Sequence, residues 1–233
     1  MKTIGIIGGM GWPSSCAYYE KINSLISTQT GGSHGAKLAL IQTDSEEILR
    51  LEEAGEWKRL GEIMVGLAEK LKSVEADFFL IACNTMHKSL LLLGDQRLPL
   101  PLIHIVDATA QKLTGYKKVG LLGSRVTMTE EYFVGRLTEQ YGLEVLVPPP
   151  DEQTKVQAAV KELARAVFRD ATREMFRGII AGLVERGAEV VVLGCTEFGR
   201  LVREEDCPRP MVDTLVAHVE AAVRMASDED CMS

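Results

Sequence analysis

The 233-residue sequence is poor in the residues that build metal centres, disulfide scaffolds and nucleic-acid surfaces. It has four histidines, His34, His87, His104 and His218, with no His-x-x-x-His pair and no CxxC pair, so a zinc site has little to be made from and no metal is expected. Five cysteines, Cys16, Cys83, Cys195, Cys207 and Cys231, are odd in number and widely spaced. They suit reduced thiols, not a disulfide framework. Lys and Arg number 26 against 33 Asp and Glu, a net charge of −7, and no basic stripe with interleaved aromatics occurs. No nucleic-acid partner is expected. No apolar run approaches the roughly 20 residues that cross a bilayer, and the glycine-rich opening MKTIGIIGGMGWPSS is no signal segment, so the expectation is a cytoplasmic chain with no membrane partner.

What is present is an ordinary globular composition, 46% hydrophobic and 25% charged, in a length between one and two domains. Short, continuous apolar runs at 3–7, 38–42, 78–82, 102–106, 119–122, 144–147 and 190–193 read as strands buried on both faces of a parallel sheet. Between them run helical stripes, Trp57, Leu60, Met64, Leu67 and Leu71 in one and Met175, Ile179, Ile180 and Leu183 in another. The alternation predicts an α/β fold with helices on both faces.

The second half repeats the first. KTIGIIGGMGW is answered by KKVGLLGSRVT, and EADFFLIACNTMHK by GAEVVVLGCTEFGR. Cys83 lies 78 positions after Gly5, and Cys195 lies 75 after Gly120. This reads as two pseudo-symmetric parallel-sheet halves, flavodoxin-like, with 1–105 plus 210–233 in the first and 106–209 in the second. The turns 8–15, 83–87, 123–129 and 195–199 each follow a strand, on the side of a parallel sheet where ligands bind. If the halves face each other about a pseudo-twofold axis, Cys83 and Cys195 approach one cleft from opposite sides. Two thiols so placed suit racemisation, one removing a Cα proton and the other returning a proton to the far face. Helix amino termini behind each cysteine would favour the thiolate and could hold a substrate carboxylate.

GIIGGMG, ACNTMH and GCTE, with LPLIHIVDAT between them, resemble the cofactor-independent aspartate/glutamate racemase family, within it the aspartate racemase branch. The resemblance implies two α/β halves around a cleft, no pyridoxal phosphate or other cofactor, a last helix that crosses back to the first half, and a homodimer. It implies catalysis by Cys83 and Cys195 on a small dicarboxylic amino acid, lined by Met10, Gly11, Asn84, Thr85, Thr127 and Thr196. Archaeal-type relatives use an Arg after the second strand and a Lys in a later helix; Arg50 and Arg165 lie near those places, Leu49 competing for the first slot. Either arginine could instead be a solvated helix residue. Some bacterial relatives carry Thr at the first cysteine and act on one enantiomer, whereas Cys83 implies two-way racemisation.

Other readings stand beside this one. Gly9-x-Gly11 with Asp44 is a partial dinucleotide fingerprint that lacks its third glycine, Ser14 standing there, and would imply a nicotinamide oxidoreductase. Cys83 and His87, four apart, could pair as a hydrolytic nucleophile and base, or His87 could order the turn. Glu197 could meet the substrate ammonium or cap its helix. Asp44, Asp107 and His104 are strand-end candidates, while Cys16, Cys207 and Cys231 read as packing residues. Hydantoin racemase, maleate isomerase or arylmalonate decarboxylase chemistry on the same fold, and a non-catalytic small-acid binding protein, are the alternatives.

Overall fold

A computed structural model describes residues 1–93 and 98–227 of the chain. Cys231 and the acidic tail after Ser227 lie outside the described residues. The chain divides into two compact units, Met1–Ile105 with Val216–Ser233, and Val106–Leu215.

In the first unit, β1 (Ile4–Gly8), α1 (Trp12–Thr30), β2 (Leu38–Gln42), α2 (Ser45–Glu53), α3 (Trp57–Ser73), β3 (Phe78–Ile81) and α4 (His87–Leu91) form a parallel sheet of order β2-β1-β3 with its helices. Every residue of β1 and β3 is buried, as continuous apolar strands covered on both faces require. Leu60, Met64 and Leu71 of α3 pack with Ile7, Phe79 and Ile81 into one core. The run 102–106 does not form a strand. Only Leu102 bridges to Phe79, because the Ile105 N–H turns to His87 Nε2 at 3.3 Å and opens α5 (Ile105–Lys112).

The second unit continues through α5 with β4 (Lys118–Gly123), α6 (Arg125–Thr129), α7 (Val134–Tyr141), β5 (Glu144–Leu146), α8 (Pro150–Leu163), α9 (Asp170–Glu185), β6 (Val190–Gly194) and β7 (Met211–Asp213), in parallel order β5-β4-β6-β7. Residues 210–215, expected in the first half, belong here. β7 pairs with β6, and the Thr214 hydroxyl donates to the Leu193 carbonyl at 2.9 Å, so the chain leaves this unit only after Leu215. From there α10 (Thr214–Ser227) runs in the first unit, burying Val219, Ala222 and Val223.

The two units solve the same local problem twice. A Cβ on Gly5 would lie 3.0 Å from Leu71 of α3, and one on Gly120 would lie 3.3 Å from Leu183 of α9, so each central strand needs a glycine under the helix that precedes the third strand. Both helices end alike. The Ala76 N–H donates to Leu71 O, and the Ala188 N–H to Leu183 O. Asp77 Oδ2 then accepts from the Thr3 N–H at 2.6 Å, and Glu189 Oε2 from those of Lys117 and Lys118 at 2.6 and 3.0 Å.

Candidate active site

At the carboxyl ends of β1 and β3, the first unit gathers Met10, Gly11, Cys83, Asn84 and Thr85. Ile7 pairs with Ile81, and the Ala82 N–H donates to Ile7 O at 2.9 Å, which sets the Cys83 turn beside the turn after β1. Met10 and Cys83, both half-buried, border the same apolar core, whereas Gly11, Asn84 and Thr85 are buried. Gly9 adopts φ 92°, and a Cβ there would strike the Thr43 main chain. Its N–H donates to Ser15 Oγ at 2.9 Å. The amide that a dinucleotide fingerprint would turn to phosphate is therefore committed within the turn.

His87 fixes the Cys83 loop. Because Nε2 accepts the Ile105 N–H, the proton sits on Nδ1, which donates to Cys83 O at 3.0 Å and Asn84 O at 3.3 Å. The ring is fully buried, neutral and engaged by the main chain on both nitrogens, the geometry of a turn-ordering residue. Behind it, His218 of α10 packs edge-on at 5.7 Å between ring centroids. His218 Nε2–H donates to Ile103 O at 2.8 Å, and Nδ1 accepts from the Tyr18 hydroxyl at 2.8 Å. Burial pushes the His218 pKa down to about 3. Neither Tyr18 nor His218 carries a local motif that marks it; only the fold brings positions 200 residues apart into contact.

In the second unit, Cys195, Thr196 and Glu197 follow β6, all buried. The Cys195 thiol donates to Glu197 Oε2 at 3.1 Å, and the Thr196 hydroxyl donates to the same oxygen at 3.0 Å. Glu197 does not cap the 3-10 turn at Phe198–Arg200 with its side chain. Thr127, on α6 just after β4, is fully buried. Cβ atoms on Gly123 and Gly194 would meet its methyl at 2.7 and 3.1 Å. Its hydroxyl lies 2.6 Å from the Tyr132 phenol and 3.0 Å from Ser124 Oγ. The Ser124-x-x-Thr127 spacing signals the local cap; Tyr132 has no such signal.

Two expectations change. The helix after Cys83 is the five-residue α4, and Cys195 is followed only by the three-residue 3-10 turn, so neither thiol has a long helix dipole behind it. Asp44 and Asp107 serve the scaffold: Asp44 caps α2 through the Glu46 N–H, and Asp107 holds Arg136 through both carboxylate oxygens while also accepting from Tyr141. Arg50, in the last turn of α2, and Arg165, just after α8, are exposed and lie in different units. His104 is half-buried, 4.7 Å from the His87 ring centroid. Cys16 is exposed on α1, and burial pushes the Cys207 thiol pKa up. Among the described residues no group of His, Cys, Asp or Glu is placed to hold a metal ion, and no helix is long and apolar enough to cross a membrane.

The chain is similar to known proteins. A structure from Yersinia pestis, described as a candidate Asp/Glu racemase, matches with a TM-score of 0.89 at 37% identity over 97% of this chain and 99% of its own. An aspartate racemase homologue from Pyrococcus horikoshii matches at 0.79 and 29% identity, over 97% of this chain and 100% of its own. A glutamate racemase from Shewanella denitrificans is 28% identical over 60% of this chain and 49% of its own, so this chain spans about half the length of that curated relative. Residues 7–222 match the model of the Asp/Glu/hydantoin racemase family, and the chain belongs to that family.

Proposed function

We propose that the protein is a cofactor-independent amino-acid racemase that interconverts L- and D-aspartate, with glutamate as the other candidate substrate. The observation that carries the reading is the pair of thiols at equivalent strand ends, Cys83 after β3 and Cys195 after β6. One thiolate takes the Cα proton, the carbanion's charge spreads onto the α-carboxylate, and the other thiol gives its proton to the opposite face. The roles exchange for the other enantiomer. Met10, Gly11, Asn84, Thr85, Thr127 and Thr196 form the proposed lining, and Arg50 or Arg165 pairs with the side-chain carboxylate. The working form is a homodimer in the cytoplasm, checked by light scattering and cell fractionation.

The test incubates pure, reduced protein with each enantiomer of aspartate and glutamate in deuterated water, followed by chiral chromatography and mass spectrometry. The expected result is racemisation with one deuterium at Cα and no added cofactor, fastest with aspartate. A folded sample that exchanges none of the four overturns the reading.

A further inference from the structure

Glu197 occupies an unusual place for a buried carboxylate. A single oxygen, Oε2, accepts from both the Cys195 thiol at 3.1 Å and the Thr196 hydroxyl at 3.0 Å, and the three residues are only 8%, 6% and 7% exposed. Two donors on one oxygen fix its direction. Were Cys195 to ionise in place, two negative charges would stand about 3 Å apart in a poorly solvated turn, and the thiol's hydrogen bond would be lost. Another carboxylate at this end of the sheet, Asp213 on β7, lies against the Gly199 main chain and accepts from the Leu215 N–H. At the matching positions after Cys83 stand Asn84 and Thr85, neither of which is charged. On α4, His87 is neutral, and the Lys88 ammonium lies 3.9 Å from the Trp57 ring centroid.

We infer that Glu197 is a positioning residue that holds Cys195 in its thiol form, leaving Cys83 as the thiol that ionises first in the resting protein. The consequence for turnover rests on the racemase reading. Cys83 thiolate takes the Cα proton, Cys195 S–H supplies the returning proton, and the protein is left with a Cys83 thiol and a Cys195 thiolate. A proton then passes from Cys83 to Cys195 through solvent to restore the resting form. The enantiomer whose Cα–H faces Cys83 is the one the resting protein is ready to accept.

The assignment is tested without substrate, so it can fail in a working racemase or hold in a protein that racemises nothing. Iodoacetamide labelling at pH 7.5 is followed at each cysteine by peptide mass spectrometry, with exposed Cys16 as internal standard. Cys83 should label faster than Cys195. Glu197→Gln removes the charge at constant size and should speed Cys195 labelling about tenfold, the scale of one pKa unit set by a neighbouring like charge. Glu197→Asp should stay near wild type, and Cys83 and Cys16 should be unmoved. Slower or unchanged Cys195 labelling in Glu197→Gln overturns the assignment, slower labelling showing that Glu197 draws the proton off the sulfur instead. Should that variant not fold, thiolate absorbance near neutral pH serves: Cys83→Ala should abolish the first ionisation and Cys195→Ala should keep it, and the reverse outcome overturns the assignment.

Discussion

His218 offers a measurement in which stability, protonation and fold are tied to one side chain. In the folded protein its Nδ1 accepts from Tyr18 and its Nε2–H donates to Ile103 O, so a second proton would break the Tyr18 bond and charge a fully buried ring. Its pKa falls from 6.5 to about 3. Because the folded value is depressed, the unfolded chain binds the proton first, and stability declines as pH drops below 6.5 toward 3. At pH 5.0 an unfolded imidazole is protonated roughly thirtyfold over its neutral form, which favours unfolding by about 2 kcal/mol relative to pH 7.5. Any folded value well below 5 gives the same figure. Both tryptophans, Trp12 and Trp57, lie in the unit that contains His218, so their fluorescence during urea unfolding reports on that unit. His218→Gln keeps a donor and an acceptor but does not titrate. Wild type should lose about 2 kcal/mol more than the variant between pH 7.5 and 5.0. Equal losses would refute the neutral, doubly bonded ring.

Further outcomes are accessible by the same means. Cys83→Ala and Cys195→Ala should each abolish racemisation in the deuterium assay, and a single variant at the wild-type rate would contradict the two-thiol mechanism. Arg173 binds Asp206 through two nitrogens and holds its carboxyl below the usual range, so Arg173→Met should lower the unfolding midpoint. That deficit should shrink as pH falls through the lowered Asp206 pKa and the carboxylate is neutralised. Gly115→Ala adds only the strain of φ 94° in open space, while Gly9→Ala adds a clash with Thr43 at φ 92°, so the second should cost at least about 1 kcal/mol more in chemical denaturation. Whichever of Arg50 and Arg165 meets the substrate carboxylate should raise KM several-fold on substitution by alanine, with the other leaving KM unchanged.

The α/β class, the parallel strands and the family were legible because each rests on local pattern: buried apolar runs, helical stripes, and paired cysteine motifs. The run 102–106 misled because its apolar residues suit a strand, yet the Ile105 N–H is claimed by a histidine 18 positions away. The crossing point near 210 misled because a three-residue strand gives little periodicity, and its placement depends on pairing with β6. The expectation of helix dipoles behind both thiols failed for a different reason. A turn that follows a strand need not start a long helix, and here the chain makes five helical residues after Cys83 and three after Cys195. The Tyr18–His218 contact was beyond reach, since a buried hydrogen bond between side chains 200 positions apart leaves no spacing to read.

The duplication is most informative where it breaks. Helix ends, strand glycines and the carboxylates that accept from the start of each central strand agree between the units. Even the left-handed position after the helix is shared, Glu75 at φ 62° in one unit and Gly187 at φ 97° in the other. The scaffold has therefore kept its geometry while changing residues freely. Beside the thiols the residue type changes in charge: Thr85 stands where the other unit has Glu197, and the carboxylate is spent on the Cys195 thiol instead of on a cap. A symmetric pair of thiols would leave open which one is ionised before substrate binds. In the proposed mechanism, a buried carboxylate on one of them, set by two donors, removes that degeneracy at the cost of a proton return after each turnover in one direction.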